Sequence, residues 1–549
     1  MMYKIAAAAA LLVAAAVSVG CASFTRGEYY AEVMAAAYIP EAQPAPEPAP
    51  TPIPTPTPAP TPEPTPEPTP APVIIPTAEM DLAGLLAITN QRRRIVHEPD
   101  MEMLQSWIDA REPMVLDGKL LFNYRRRGDI TAEQAGEDVR MFFTLLRGIY
   151  GAYHYFGGDE VFFPKRDTML ERVSQRPVWN AHSLAALVQE HLGAVIADNH
   201  FLVNGYRGST FGRPHNSFIL HRRFELTPQG FREAATGRYV QGVYGHDQQE
   251  LFRLTMTDQG EFFYAPILLQ PSWKAAPVLR ITFTNGETHA HTMTRLSHTR
   301  AHDRGAADSL TYVDGIPVLS MRRMGNSMNP YSRSHGEAQR MLSYAEYLRD
   351  APVMIVDIRS NGGGASALTY TWLYRLLGEY VPANFNWLGF FDTQIEVREG
   401  VQRPWRWYAG FTTLHGLDFE YPPELFGKYL HMEEIAPGIK FTPPQSRDRF
   451  VPNDRTIIVL VDRFTLSSGE TFTDQFTNIE NTLIIGQNTY GMLLTSNNVP
   501  LYLPHSGIPV TMGRYKLLHP HGTWRENVGF APDIWVLGDA MAAARHLLR

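Results

Sequence analysis

Two adjacent serines follow a run of apolar residues. In "TIIVLVDRFTLSSGETF", residues 456–472, the apolar run predicts a buried strand, and Ser467 and Ser468 stand in the turn before a helical segment. A serine at such a junction can project its hydroxyl, while the backbone N–H groups at the start of the helix point at a developing oxyanion. These residue types therefore suit a nucleophile, but without partners the turn is only a tight connection.

A second strand-to-helix turn carries three glycines. "VMIVDIRSNGGGAS", residues 353–366, ends a predicted strand in Gly362, Gly363 and Gly364, which would let another backbone approach closely and donate an N–H group. The turn lacks a GxxxxGK pattern, so it does not predict a nucleotide-binding loop. Asp357 and Arg359, just before it, are interpreted as a structural pair that fixes the glycine turn.

A general base is the missing partner, and His200 is a candidate. The apolar stripe of residues 184–195 predicts a helix capped by Asn180, which ends at "ADNH" and leaves His200 on the following turn. A single histidine is more often a packed or surface residue. His289 and His291 alternate on one exposed face with no carboxylate cluster beside them, so the sequence predicts no metal site.

These turns need an α/β framework to bring them together. Residues 77–200 have helical periodicity, and residues 201–305 are β-rich, with Asn285-Gly286 suited to a hairpin turn. Residues 306–549 repeat the strand–turn–helix scheme, and "NTLIIGQNTYG" adds another short buried strand. The sequence thus predicts a helical N-terminal domain, a β-rich middle segment and an α/β domain with partly parallel strands.

Composition excludes several classes of function. The net charge of −7 is spread over both signs, with no basic face for nucleic acid. The single cysteine, Cys21, excludes an internal disulfide framework and a thiolate metal cluster. No cofactor is expected.

The N-terminus predicts export. Residues 1–22 contain Lys4 and then an apolar run shorter than a membrane span, which is typical of a signal peptide. "SVGC" resembles the lipobox of bacterial lipoproteins, in which Cys21 would carry the lipid, although Ser18 departs from the preferred Leu or Val; simple cleavage after Ala22 is the alternative. The proline-rich residues 23–76 predict an extended linker, so the folded body would be extracytoplasmic and held at a membrane.

Four motifs in order carry a resemblance to a known family. "VMIVDIRSNGGG", "VLVDRFTLSSGETF", "LIIGQNTYG" and "ENVGFAPDIWV" resemble the catalytic domain of the serine peptidases that include C-terminal processing proteases and the tricorn core protease. The resemblance implies a crotonase-like α/β catalytic domain and a peptide or unfolded-protein substrate. It selects Ser467 as the nucleophile, because the family's serine lies three positions before a glutamate, here Glu470. Ser468 would donate its backbone N–H to the oxyanion hole, with Gly363 or Gly364 as the second donor.

The resemblance also indicates the base. Processing proteases use a lysine in the turn after the next strand, but Met492 stands in that place here and a thioether cannot accept a proton. The chain therefore resembles the tricorn-like branch, in which His200 would be the base, assisted by Glu526 and by Asn199, or by Asp198 in its place. A catalytically inactive peptide-binding lipoprotein is the alternative. An acyl-CoA enzyme of the same fold is disfavoured by the export signal.

Overall fold

The structure is a computed structural model of the 549-residue chain. It describes residues 81–93, 101–111, 114–117, 128–203, 211–272, 274–296, 308–324, 333–390, 393–398, 401–404, 433–436, 439–441, 450–519 and 525–549. The predicted signal peptide, the lipidation of Cys21 and the proline-rich linker lie outside the described residues.

The described part of the chain contains helices and several runs of consecutive strands. The helices are α1 (Leu82–Arg93), α2 (Met101–Asp109), α3 (Ala132–Ile149), α4 (Gly158–Ser174), α5 (Ala181–Leu192), α6 (Gln248–Leu251), α7 (Arg333–Tyr347), α8 (Ser366–Leu377), α9 (Ser468–Phe476) and α10 (Ala540–Leu547). The strands are β1 (Val115–Asp117), β2 (Ile130–Thr131), β3 (Val178–Trp179), β4 (Leu202–Val203), β5 (His215–Ile219), β6 (Phe224–Thr227), β7 (Gly230–Glu233), β8 (Val240–Val243), β9 (Phe252–Thr257), β10 (Phe262–Pro271), β11 (Val278–Phe283), β12 (Thr288–Thr292), β13 (Thr294–Arg295), β14 (Ser309–Val313), β15 (Ile316–Ser320), β16 (Val353–Asp357), β17 (Asn386–Phe390), β18 (Gln394–Arg398), β19 (Val401–Pro404), β20 (Glu433–Ala436), β21 (Ile439–Phe441), β22 (Thr456–Val461), β23 (Thr482–Gly486), β24 (Thr495–Tyr502), β25 (Pro509–Leu518) and β26 (Ile534–Leu537).

A mixed sheet forms the centre of the fold. Its strands follow the order β13-β5-β10-β9-β26-β23-β22-β16-β15-β14, and neighbours are parallel from β9 through β26, β23, β22 and β16 to β15. Parallel strands place their carboxyl ends at one edge, so the turns after β16 and β22 lie next to each other. The predicted α/β core with partly parallel strands is confirmed.

Helices cover both faces of this sheet. Along β22, Ile457 and Val459 contribute to one apolar cluster, whereas Ile458 and Leu460 contribute to the other. Successive side chains of a strand point to opposite faces, so a strand buried on both sides has a continuous apolar sequence, as "TIIVLV" does. Helices α7, α8 and α9 pack on the first face, and α1 and α10 pack on the second.

The N-terminal helices have the predicted apolar faces, but one of them, α5, ends earlier than predicted. Helix α3 begins with a capping box between Thr131 and Gln134, and Asn180 caps α5 as predicted, its Oδ1 accepting from Ser183 N at 3.0 Å. Helix α5 ends at Leu192 rather than at the "ADNH" sequence. Gly193 follows at once, and glycine weakens helix propagation, so residues 193–200 form turns instead.

Part of the β-rich segment joins the central sheet, whereas β8, β11 and β12 form a separate three-stranded sheet. Strand β9 lies parallel to β26, and β10 and β5 extend the sheet beyond it. The predicted hairpin is present, with β11 and β12 antiparallel across Asn285-Gly286. The proposed boundaries between segments stay a prediction. Among the described residues, no helix combines the length and apolarity needed to cross a membrane.

Candidate active site

Ser467 occupies a strained turn between β22 and α9. Its φ of 55° and ψ of −118° place a non-glycine residue in the left-handed half of backbone space. Such conformations cost energy and persist where the surrounding structure enforces them. Here Glu470, three residues into the helix start, accepts from Ser467 N at 3.0 Å. The turn thereby exposes the Ser467 hydroxyl beside the first N–H groups of α9.

His200 lies within hydrogen-bond distance of this hydroxyl. Its Nε2 is 3.0 Å from Ser467 Oγ, although the two residues are 267 positions apart. Burial lowers the pKa of His200, and the charge of Asp198 and the backbone of Thr495 partly oppose that shift. Nδ1 is buried and makes no hydrogen bond of normal geometry to a described residue, so the contact with Thr495 is a loose one.

Asp198 orients the turn that carries His200. Its Oδ1 accepts from His200 N at 2.8 Å, and its Oδ2 accepts from Tyr150 Oη at 2.8 Å and from Thr495 Oγ1 at 2.7 Å. The carboxylate thus holds the backbone of His200 and acts on the imidazole through its charge. Thr495 and Tyr150 were not among the sequence candidates, because nothing in their local patterns marks them.

Asn199 connects the histidine turn to Glu526. The backbone N and the side-chain Nδ2 of Asn199 both donate to Glu526 Oε1 at 2.7 Å. Nδ2 also contacts Gly491 O at 2.8 Å and Asn527 Oδ1 at 3.0 Å. The structure therefore brings His200 to Ser467, and Asn199, the residue before His200, to Glu526.

Glu526 is buried and ties a third turn to the site. Its Oε2 accepts from Leu493 N at 2.7 Å and Leu494 N at 2.6 Å. Burial and the charge of Asp198 raise its pKa well above the usual range. Lys516 is a nearby buried cation whose pKa falls to about 8 on burial, while Glu526 and Asp198 oppose that fall. Lys516 was not among the sequence candidates.

The glycine turn presents two different N–H groups. Gly363 N donates to Asn361 Oδ1 at 2.9 Å, so this N–H already has an acceptor. Around Gly364, a bridge to Met324 uses the carbonyl of Gly363 and the N–H of Ala365. The N–H of Gly364 is not part of that bridge. A side chain at Gly363 would meet Ser467 Cβ at 2.8 Å, which explains why glycine is needed beside the serine.

Ser468 is held by its side chain, and its backbone N–H lies at the start of α9. Its Oγ donates to Gly364 O at 2.7 Å and lies 2.9 Å from Ser366 Oγ. As the first residue of α9, Ser468 has no intrahelical acceptor for its N–H. The Ser468 hydroxyl therefore holds the glycine turn against the helix start and does not approach His200.

Glu470 anchors the serine turn to the turn after β23. In addition to Ser467 N, it accepts from Thr489 Oγ1 at 2.7 Å, Gly491 N at 2.7 Å and Met492 N at 2.8 Å. Burial raises its pKa to about 7, although all these hydrogen bonds lower it. Glu470 served only as a position marker in the sequence, and its anchoring role is visible only in the structure.

The predicted Asp357–Arg359 pair is present, with one more member. Arg359 Nε and Nη2 donate to Asp357 Oδ1 and Oδ2 at 2.9 Å each. Arg322 adds a contact to Asp357 Oδ2 at 2.8 Å and also binds the carbonyl of Arg359 at 2.8 Å. These buried ion pairs fix the end of β16, where the glycine turn begins.

The described residues hold no cluster of three metal-ligating side chains. His289 and His291 stack with ring centroids 6.1 Å apart on one face, as their alternation predicted. Arg238 lies 3.3 Å from His289 Nε2, and its positive charge disfavours a cation there.

Comparison with known proteins gives the class of protein and a family that part of the chain resembles. Residues 421–536, which include Ser467, Ser468, Glu470 and Glu526, match the model of peptidase family S41. The chain is therefore a serine-type peptidase, a hydrolase, with a mixed α/β fold. Over these residues it is similar to peptidase family S41, and the resemblance to C-terminal processing peptidases is confirmed.

Solved structures give weaker likenesses. Mature CPAF is 13% identical, with a TM-score of 0.36, over 76% of this chain and 96% of its own. The photosystem II D1 C-terminal processing protease is 15% identical, with a TM-score of 0.31, over 76% and 97% of the two chains. The tricorn protease is 14% identical, with a TM-score of 0.30, over 73% and 34%. The similarity to the family rests on the family-model match over residues 421–536. No curated protein sequence gives a significant match.

Proposed function

We propose that this chain is an exported serine peptidase that cleaves peptide bonds of peptides or unfolded proteins through an acyl-enzyme. The observation that carries the proposal is the 3.0 Å distance between His200 Nε2 and Ser467 Oγ. This is the contact that a general base and its nucleophile need. The buried surroundings of His200 keep the imidazole neutral near pH 7, ready to accept a proton.

In the first step, Ser467 Oγ attacks the carbonyl carbon of the scissile bond and its proton moves to His200 Nε2. The carbonyl oxygen becomes an oxyanion, for which Ser468 N and Gly364 N are the proposed donors. Gly363, the other candidate, has its N–H on Asn361 at 2.9 Å and serves instead to let the two turns approach. Collapse breaks the C–N bond, and His200 returns the proton to the departing amine.

In the second step, water replaces the amine. His200 accepts a proton from the water as its oxygen attacks the acyl carbon, and the ester bond to Ser467 breaks with return of that proton to Oγ. Asn199 and Glu526 are positioning residues, because Glu526 binds the backbone N of Asn199, next to His200, and among the described residues no hydrogen bond joins either of them to Ser467. Met492 cannot replace the lysine base of the processing proteases, because its side chain is a thioether. Its backbone N donates a hydrogen bond to Glu470.

The chemistry is tested by a fluorophosphonate, which forms a stable bond to an activated serine. Wild-type protein should be labelled, Ser467→Ala should not, and Ser468→Ala should keep labelling because its backbone N–H remains. Labelling that vanished only in Ser468→Ala would reverse the choice of serine. Unlabelled wild-type protein that still bound unfolded casein would support the inactive peptide-binding alternative.

Export and anchoring rest on the sequence of residues 1–76. We propose that Cys21 is lipidated and that the proline-rich linker holds a crotonase-like catalytic domain away from the membrane. The domain order proposed is a helical segment to residue 200, a β-rich segment to residue 305 and the catalytic domain to residue 549. Incorporation of labelled palmitate into wild-type protein but not into Cys21→Ala, expressed in bacteria, tests the anchor.

A further inference from the structure

Two arginines lie close together beside the catalytic turns. We call Arg463 and Arg295 the arginine pair. Arg463 follows β22 and precedes Ser467 by four positions, and Arg295 ends β13 at the edge of the central sheet. Their charges repel, and the nearby charge of Arg295 is one cause that lowers the pKa of Arg463, after burial itself. Because like charges destabilise each other, a bound anion would explain why two arginines are placed near each other here.

Strand β5 holds the two arginines on one side of the sheet. Arg463 Nη1 donates to Asn216 Oδ1 at 3.0 Å. In the antiparallel ladder of β13 and β5, Arg295 stands directly opposite Phe218. Directly paired residues share a face, and so do residues two apart in a strand, which places Arg295 on the face of Asn216.

The guanidinium of Arg463 has unused hydrogen-bonding capacity. Its Nε is buried with no acceptor among the described residues. Neither arginine forms an ion pair with a carboxylate in the described part of the chain. The neighbouring carboxylate of Asp462 instead accepts from Ser360 N and Phe464 N at 2.9 Å each. A guanidinium offers five donors in a planar fork, and a carboxylate is the group that fits it.

The arginine pair borders the residues that position His200. His215, next to Asn216, donates its backbone N to Asn527 O at 3.2 Å, and Asn527 Oδ1 accepts from Asn199 Nδ2 at 3.0 Å. On the other side, Tyr490 N donates to Thr465 O at 2.9 Å, two residues from Arg463 along the chain. The elements next to Arg463 in the fold are thus the ones that carry His200 and Ser467.

We propose that Arg463, assisted by Arg295, binds the side-chain carboxylate of an aspartate or glutamate in the substrate and so selects acidic sequences near the scissile bond. The inference rests on the proposed peptidase function and names its substrate class. Arg463 is the specificity residue, because it combines a charge with an unsatisfied buried donor. Arg295 is more exposed and adds mainly charge.

The test measures cleavage of matched peptides by the full-length chain. A cleavage site is first located in β-casein by mass spectrometry and converted into a quenched-fluorescence peptide. Each position within about four residues of the scissile bond is then made glutamate or glutamine, and kcat/KM is measured for both. At one position, glutamate should be preferred by about tenfold or more, as expected for a charge-assisted bidentate contact.

Variants identify the residue responsible. In Arg463→Gln the glutamate-to-glutamine ratio should fall to about 1, whereas Arg463→Lys should keep part of it, because lysine retains the charge but not the fork. Arg166→Gln, on helix α4 and paired with Asp167, should keep the wild-type ratio. If Arg463→Gln does not fold, Arg295→Gln replaces it in the test, because Arg295 is exposed. The glutamate-to-glutamine ratio of kcat/KM should then be lower than in the wild-type protein.

The failing outcomes are distinct. A ratio near 1 at every position in an actively cleaving wild-type protein would overturn the arginine proposal and leave the peptidase standing. A ratio unchanged in Arg463→Gln would also overturn it. The same peptides with amidated C-termini must keep the preference; if amidation removes it, the bound group is a terminal carboxylate and the proposal is wrong. Wild-type protein without fluorophosphonate labelling or cleavage would remove both proposals.

Discussion

Glu526 binds Asn199 through one oxygen atom, with the backbone N and the side-chain Nδ2 of Asn199 both 2.7 Å from Oε1. The other oxygen of Glu526 accepts from the N–H groups of Leu493 and Leu494. One buried carboxylate thus joins the C-terminal turn, the histidine turn and the turn after β23. His200 reaches Ser467 because this carboxylate fixes the positions of the three turns relative to one another.

This relationship predicts the effect of Glu526→Gln. The amide would turn its NH₂ toward N–H donors on one side or the other, so at least one pair of contacts is lost. Misplacement of the base should lower kcat by about 10²-fold with little change in KM. Steady-state kinetics check this, with Glu171→Gln on the exposed face of α4 as the control. Equal kcat in the two variants would contradict the positioning role.

The acidic limb of the pH profile should lie below the ordinary imidazole value of 6.5. Burial lowers the pKa of His200, and activity requires the neutral imidazole, so activity is lost only as pH falls through that lowered value. Because the charge of Asp198 raises the pKa of His200, Asp198→Asn should move the limb to still lower pH. Profiles of kcat/KM measure both shifts.

The control for this pH experiment is Asp167→Asn, an exposed aspartate paired with Arg166. Its profile should superimpose on that of the wild-type protein. A limb that moved to higher pH in Asp198→Asn would mean that Asp198 does not act on His200 through its charge.

The glycine turn should tolerate a side chain at one position and reject it at another. At Gly364, φ is 142° and an added Cβ would lie 1.7 Å from Met324 O, whereas at Gly362 no described atom lies within 4 Å. Gly364→Ala should therefore reduce the free energy of unfolding by about 2–4 kcal/mol and slow labelling of Ser467. Gly362→Ala should change stability by less than about 0.5 kcal/mol. Denaturant unfolding of the pair measures the difference, and equal stability would show that Met324 does not confine the turn.

Glu470 should be irreplaceable by its amide. Each of its oxygens accepts from two donors, so an NH₂ group in either orientation would face N–H or O–H groups. Glu470→Gln should reduce the free energy of unfolding by about 1–3 kcal/mol. Its kcat should be well below that of the wild-type protein, because the Ser467 turn is no longer held in place. Thermal unfolding together with turnover tests this. A variant that retained wild-type values of both would exclude the anchoring role.

The sequence predicted those parts of the fold that depend on local pattern. Continuous apolar runs identified β16, β22 and β23, and the glycines and serines after them identified the turns. Cap residues such as Asn180 act within one turn of chain, so they too were readable. The assignment of roles to Ser467 and His200 came from the resemblance, since no local pattern links residues 267 positions apart.

The remaining features depend on long-range packing. Asn361 accepts a hydrogen bond from Gly363 N, and Thr495 donates one to Asp198. Both contacts form only because separate elements meet at the carboxyl edge of the sheet. Lys516 is buried beside two carboxylates, although lysine side chains are mostly exposed in proteins. Such contacts are set by the tertiary fold, which overrides the preferences of single residues.

The central claim is that His200 activates Ser467, and the rate of fluorophosphonate labelling at Ser467 tests it most directly. Peptide mass spectrometry locates the adduct, and the second-order rate constant is compared between wild-type protein and His200→Gln at pH 7. We predict that the adduct lies on Ser467 and that His200→Gln slows labelling by about 10²–10⁴-fold. An adduct on another serine, or labelling by His200→Gln at the wild-type rate, would contradict the account.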